Sequence, residues 1–218
     1  MKLAIFDLDN TLIAGDSDYL WGKFLIQKGA VDPAFFEAEN DRFYANYKNG
    51  TLNIMEYQRF SLKPLTQYPM QTLLDWHQEF MQTMIEPIYL QKAQDLVNQH
   101  KANGDTLLII TATNSFVTRP IGLRYGIDHL IGTDPEIINH CFTGEVSGTP
   151  SFQDGKVIRL NDWLEEHPFD LKDAYFYSDS RNDLPLLEAV GNPTVVDGDD
   201  VLKTIAKERN WPSISLRN

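Results

Sequence analysis

The sequence predicts an α/β protein: a Rossmann-like parallel sheet core with an α-helical bundle inserted after its first strand. Three observations predict it. From about Leu90 onward, short apolar runs alternate with amphipathic helical stretches, the rhythm of a parallel sheet covered by helices. Between Asp16 and Glu86 the pattern is helical throughout. Three of the apolar runs end in acids, hydroxyls or amides, and in open parallel sheets ligands bind beyond the carboxyl ends of the strands. The expected division is residues 1–14 and 88–218 for the core and residues 15–87 for the helical insertion.

Leu3 to Phe6 is an apolar run without a breaker and reads as a buried strand. Asp18 or Ser17 can cap a helix that carries Leu20, Trp21, Phe24 and Leu25 and stops at Gly29. Asp32-Pro33 is a cap followed by proline at the first helical position, and Asn49-Gly50 closes that helix. Asn53 followed by Glu56 resembles a capping box, for a helix running to about Leu62. A fourth helix carries Leu73, His77, Phe80 and Met84 and ends near Pro87. Four short amphipathic helices in a row suggest a small bundle, with Phe35, Phe36, Phe43, Tyr44 and Tyr47 read as its core.

The alternating part follows. A helix from Leu90 ends at Asn103-Gly104, and Thr106 to Thr111 is a strand. Phe116 to Tyr125 is a helix, Leu130-Ile131 a short strand, and Phe142 to Val146 part of a hairpin or flap. Val157 to Glu166, Leu184 to Val190 and Val201 to Arg209 are helices. They are separated by strands at Ala174 to Ser178 and Thr194 to Val196, with a last edge strand at Ile214 to Leu216.

Composition narrows the function classes. A chain of 218 residues with 42% apolar content can bury a sizeable core, and 11% aromatics argue against disorder. A net charge of −12 disfavours nucleic acid, whose phosphates are bound by clustered Lys and Arg. The lone cysteine, Cys141, rules out an intramolecular disulfide or multi-cysteine metal site and is expected to be a small buried residue. No window has the apolar length of a membrane span or signal-peptide core, so a soluble cytoplasmic protein, monomer or homodimer, is expected.

The first strand delivers Asp7 and Asp9 two residues apart, a pair that repels unless a proton or a cation intervenes. The run Leu107 to Ile110 delivers Thr111, then Thr113 and Asn114; the run Ala174 to Tyr177 delivers Ser178 and Asp179, then Asn182 and Asp183. Hard oxygen ligands without a His or Cys cluster suit Mg2+, and such a set fits phosphoryl transfer on a small phosphorylated metabolite.

These residues resemble the four motifs of the haloacid dehalogenase (HAD) superfamily. Asp7-Leu-Asp9-Asn-Thr11 is similar to the first, Thr111 after four apolar residues to the second, Lys156 to the third, and Ser178-Asp179-Ser-Arg-Asn182-Asp183 to the fourth. The helical insertion resembles the cap of the phosphoserine phosphatase branch, where similar sequences are also described as histidinol-phosphate phosphatases. The resemblance implies a Mg2+-dependent phosphomonoesterase that works through an aspartyl-phosphate. Asp7 is then the nucleophile and a metal ligand. Asp9 is general acid and base and binds the metal through its backbone carbonyl, and Asp179 completes the ligands. Thr111 and Lys156 hold phosphoryl oxygens, Asn182 touches phosphate or orients Lys156, and Asp183 sits in or near the layer behind the ligands. Asp9 separates a phosphatase from a dehalogenase, which lacks that acid.

The sequence also departs from that branch. Ala112 and Thr113 stand where phosphoserine phosphatases have two glycines, and Thr113 adds a hydroxyl. The acid that meets the substrate amine falls at Asp16, which is equally placed to cap a helix. The arginine for the substrate carboxylate has only Arg59 as a candidate, two residues out of step. Asn114 is a candidate substrate contact and equally a cap. The histidines show no paired ligand spacing. The rival readings are an aspartyl-phosphate signalling receiver, which is about half this length, and a non-catalytic phosphometabolite-binding protein.

Overall fold

The computed structural model describes residues 1–217; Asn218, the last position assigned to the core, lies outside the described residues. Strands β1 (Leu3–Phe6), β2 (Thr106–Asn114), β3 (His129–Thr133), β6 (Tyr175–Ser178), β7 (Asn192–Val196) and β8 (Ser213–Ile214) form one sheet in the order β3-β2-β1-β6-β7-β8. Every neighbouring pair in it is parallel. β1 sits between β2 and β6, so the three strands with polar exits are adjacent and end on the same side. All four residues of β1 are buried, as expected for a strand covered on both faces.

Helices α1 (Ser17–Gln27), α2 (Pro33–Asn49), α3 (Ile54–Leu62) and α4 (Met70–Phe80) follow β1. Their ends obey the local chemistry. Asp32 and Asn53 cap α2 and α3 by accepting from Phe35 N and Glu56 N, and Gly50 closes α2 with φ of 72°. The cap of α1 is Asp16, which accepts from Tyr19 N, and not Ser17 or Asp18. α4 continues through wider and then tighter turns to Ile88. Trp21 of α1 packs against Phe24, Phe80 and, across from the later part of the chain, Phe116. One apolar cluster therefore runs from α1 and α4 into one face of the sheet without a break.

The rest alternates: α5 (Gln91–Ala102), α6 (Ser115–Arg124), α7 (Asp154–Glu166), α8 (Leu184–Ala189) and α9 (Asp200–Arg209). A second apolar cluster, with Leu160, Leu186, Leu187 and Leu202, covers the other face of the sheet. β4 (Pro135–Ile138) and β5 (Cys141–Val146) form the antiparallel hairpin. Cys141 is exposed on it, contrary to the expected burial, because it opens an edge strand outside the main sheet. β2 runs three residues beyond the expected Thr111, since Asn114 pairs with Thr133 of β3 after a register shift. Among the described residues no helix is long and apolar enough to cross a membrane.

Candidate active site

Backbone geometry turns the chain sharply after β1. Asn10 adopts φ of 59°, which asparagine tolerates, and its N–H bonds to Gly15 O at 2.8 Å. This turn brings Thr11 back under the strand end. Its hydroxyl lies 3.2 Å from Asp7 Oδ2 and 3.3 Å from Asp179 Oδ1, and it accepts from Asp179 N at 3.1 Å. One hydroxyl thus ties the exits of β1 and β6 together.

Lys156 enters from the first turn of α7. The chain can approach there because position 155 is glycine: a Cβ would stand 2.1 Å from Pro150 O. Lys156 Nζ lies 2.8 Å from Asp7 Oδ1 and 2.7 Å from Asp183 Oδ1. Asp183 is held in turn by the Ser178 hydroxyl at 2.7 Å. Burial pulls the ammonium down, but Asp183 and Asp7 together hold it above its ordinary value. Burial pushes Asp7 up to about 7, against the pull of Lys156, and pushes Asp179 well above the carboxylate range.

Asp9 has a different set of partners. Its Oδ1 accepts from Ser17 N at 2.6 Å, and its Oδ2 from the hydroxyls of Thr113 at 2.8 Å and Thr111 at 3.4 Å. Burial raises it to about 6. Asp7 and Asp9 therefore share no hydrogen-bond donor, which is how two nearby acids avoid direct competition.

The donor set suits a hard divalent cation. Ionised Asp7, Asp179 and Asp183 against Lys156 leave two uncompensated negative charges. Among the described residues no three His, Cys, Asp or Glu side chains cluster to hold a metal alone. The carboxylate of Asp9 is turned towards Ser17 and Thr113, which leaves Asp7 and Asp179 as the nearby carboxylates that could meet such a cation.

A cavity opens over these groups and brings Asp7, Asp9, Asp16, Thr111, Thr113, Lys156, Asn182 and Asp183 to one space. Asp179 lies in the adjoining cleft, next to Asn182. Two expected contacts are not there. Arg59 is exposed on α3 and pairs with Glu145 of β5 at 2.9 Å, because the hairpin offers a carboxylate on its own side of the helix. Asn114 is 1% exposed and caps α6, accepting from Val117 N at 3.1 Å. Asp16 does both things considered for it, capping α1 while lining the cavity.

The sequence reading missed the far wall. Asp18 is 4% exposed and accepts from the hydroxyls of Tyr57 at 2.8 Å and Ser61 at 2.9 Å. Burial raises both Asp16 and Asp18 to about 6. Of the aromatics expected in a bundle core, Phe35 is exposed, whereas Phe43, Tyr44 and Tyr47 line the cavity, and Tyr57 lines it with them. Tyr47 also donates to Ser180 Oγ at 3.1 Å, and its carbonyl accepts from Asn182 Nδ2 at 3.3 Å. The signal available was the phenol: a buried tyrosine asks for a hydroxyl partner where phenylalanine would not.

Comparison with known proteins agrees with the geometry. The family model of the haloacid dehalogenase-like hydrolases matches residues 4–188. A protein of Neisseria meningitidis serogroup C (strain 8013), named histidinol-phosphatase, is 45% identical over 220 residues and is covered over 99% of each chain. A crystal structure of a protein of unknown function from Bordetella pertussis Tohama I superposes with a TM-score of 0.93, at 45% identity and 99% coverage of each chain. A substrate-bound phosphoserine phosphatase superposes with a TM-score of 0.73, covering 98% of this chain and 92% of that one; at 18% identity it speaks for the fold.

Proposed function

The chain belongs to the haloacid dehalogenase-like hydrolases, and we propose that it is a Mg2+-dependent phosphomonoesterase that works through an aspartyl-phosphate. The substrate is a small phosphorylated metabolite of the phosphoserine or histidinol phosphate kind, the latter suggested by the Neisseria meningitidis relative. One observation carries the reading: Asp7 and Asp9 lie side by side with separate partners, Asp7 on Lys156 and Thr11, Asp9 on Ser17 and Thr113.

In this reading an Asp7 carboxylate oxygen attacks phosphorus, and the bond from phosphorus to the leaving oxygen breaks. Asp9, raised to about 6 by burial, carries a proton in part of the population near neutrality and gives it to the leaving alkoxide. Water then enters; Asp9 takes back a proton as the water oxygen bonds to phosphorus, and the bond to Asp7 breaks, releasing phosphate. Lys156 and the Thr111 hydroxyl hold the phosphoryl oxygens, with Asn182 beside them. Asp183 keeps Lys156 in place through its 2.7 Å contact. Asp7, Asp179 and the Asp9 carbonyl would hold Mg2+, which offsets the crowded acids and the charge of the phosphoryl group. The helical insertion excludes bulk water and presents the wall against which the leaving group is chosen.

The test is turnover of p-nitrophenyl phosphate with Mg2+ and with chelator. Hydrolysis that stops with chelator and returns with Mg2+ is expected, and Asp7→Asn abolishes it. Equal rates with and without chelator, or an active Asp7→Asn protein, overturn the mechanism.

A further inference from the structure

No step of that chemistry uses the hydroxyl of Thr113, which stands where the sequence departs from the phosphoserine phosphatases. Thr111 and Thr113 are two residues apart on β2, and both hydroxyls reach Asp9 from the cavity side. The pairing of β2 with β3 is irregular between Ile110 and Asn114, and such irregularities re-aim side chains beside active sites. The strands can approach there because position 132 is glycine, where a Cβ would come within 2.9 Å of Thr113 O. The carbonyl of Ala112 is held from two directions, by the Thr133 hydroxyl at 2.8 Å and by Gln58 Nε2 of α3 at 3.1 Å. Gln58 is fully buried. The core and the helical insertion thus fix together the backbone on which Thr113 stands.

That fixed position serves the acid. Asp9 Oδ1 is taken by Ser17 N–H at 2.6 Å, and a backbone N–H only donates. The proton that Asp9 gives and takes back therefore belongs on Oδ2. Two hydroxyls reach Oδ2, Thr113 at 2.8 Å and Thr111 at 3.4 Å. Thr111 makes the longer contact, and its hydroxyl turns to a phosphoryl oxygen once an ester is bound. Thr113 is then the side chain that holds Oδ2. A hydroxyl suits this place because it both donates and accepts. It donates to Oδ2 when Asp9 is ionised and accepts from Oδ2–H when Asp9 is protonated. An N–H would serve the ionised form alone, and a methyl group neither.

Building on the phosphatase reading, we infer that Thr113 is a positioning residue for the proton transfers: its hydroxyl keeps Asp9 Oδ2 aimed at the leaving oxygen in both protonation states. In the first half of the reaction the proton passes from Oδ2 to the leaving oxygen as the bond from phosphorus to that oxygen breaks. The Thr113 hydrogen then turns to Oδ2. In the second half, water gives a proton to Oδ2 as its oxygen bonds to phosphorus, and Thr113 turns back to accept from Oδ2–H. Thr113 itself neither loses nor gains a proton.

The experiment uses the Mg2+-supplemented enzyme and three aryl esters of similar size: p-nitrophenyl, p-chlorophenyl and phenyl phosphate, in order of increasingly basic leaving group. The quantity compared is kcat/KM, which covers the steps up to departure of the phenol. Nitrophenolate leaves without a proton, whereas phenolate leaves slowly unless an acid supplies one. Thr113→Val keeps the shape of the side chain and removes the hydroxyl. It should cost phenyl phosphate about 30-fold or more and p-nitrophenyl phosphate about threefold or less, with p-chlorophenyl phosphate between them. Thr113→Ser, which restores a hydroxyl, should recover most of the loss on phenyl phosphate.

A merely structural hydroxyl would slow all three esters alike, so equal losses overturn the positioning role. Thr113→Ser as slow as Thr113→Val on phenyl phosphate overturns it too. Either result, with the unaltered enzyme still hydrolysing p-nitrophenyl phosphate, sinks this inference alone. No hydrolysis of any ester by the unaltered enzyme sinks the phosphatase reading and this inference with it.

Discussion

At the strand end of the cavity each charge is held by a short, fixed contact: Lys156 by Asp7 and Asp183, Asp183 by Ser178, Asp9 by Ser17 N. On the helical side the wall is made of tyrosine rings and the carboxylates of Asp16 and Asp18. The first region gathers acids around a single lysine; the second is aromatic and opens onto the cavity. The contrast teaches a division of labour. Phosphoryl chemistry is the same for any ester and is met by groups fixed to strand ends, whereas the leaving group is met by side chains scattered over helices.

The strongest way to break the strand end is Lys156→Met. It leaves Asp7 and Asp183 buried without their shared cation, and should destabilise the fold by about 3–5 kcal/mol in denaturant unfolding while removing turnover. A loss under about 1 kcal/mol would show that the pair is not held as described.

A second effect sharpens the contrast through pH. Burial raises Asp7 to about 7, and Asp9, Asp16 and Asp18 to about 6, from the ordinary carboxylate value of 3.8. A carboxylate with a raised folded pKa stabilises the fold at low pH, and that contribution is lost as pH rises through the folded value. In chelator, the Tm should therefore fall between about pH 4 and pH 7, with Asp18 alone contributing on the order of 3 kcal/mol. His77 opposes this: burial lowers it from 6.5, so its contribution is lost as pH falls below that value. Five raised carboxylates, Asp179 among them, outweigh one imidazole. Mg2+ should flatten the profile by binding the ionised form. A Tm that rises between pH 4 and pH 7 in chelator would show that these carboxylates are not raised by burial.

On the helical side, Tyr57→Phe removes a phenol that donates to buried Asp18 at 2.8 Å. A loss of about 1–2 kcal/mol is expected, with a raised KM and little change in kcat. A larger fall in kcat than rise in KM would place Tyr57 with the chemistry. The smallest effect belongs to Arg59→Ala. Its ion pair with Glu145 is solvent-exposed, so stability should change by less than about 1 kcal/mol and the KM of phosphoserine should not move. A tenfold rise in that KM would return Arg59 to the substrate.

Much of the fold was readable because its signals are local. Asp32-Pro33, Asn49-Gly50 and Asn53 marked helix ends through hydrogen bonds made within a few residues. The sheet strands were legible from apolar runs with polar exits. Lengths were less so: β2 continues to Asn114 only because β3 lies beside it to receive the pairing. Cys141 was misjudged because an edge hairpin exposes what a central strand would bury.

The sequence by itself determined the chemistry of the strand ends. Asp7, Asp9, Thr111, Lys156, Asp179 and Asp183 each stand at the exit of a strand or the start of a helix, and a parallel sheet gathers such exits on one side whatever the loops do. Only the tertiary structure decided the other wall. Whether Arg59 faces a substrate or Glu145, whether Asn114 binds or caps, and whether Tyr44 and Tyr47 belong to a core or a cavity all depend on how α1, α2 and α3 are rotated and what each one faces. Helical periodicity gives a residue's face but not the occupant opposite it, and that occupant is set by packing between distant segments.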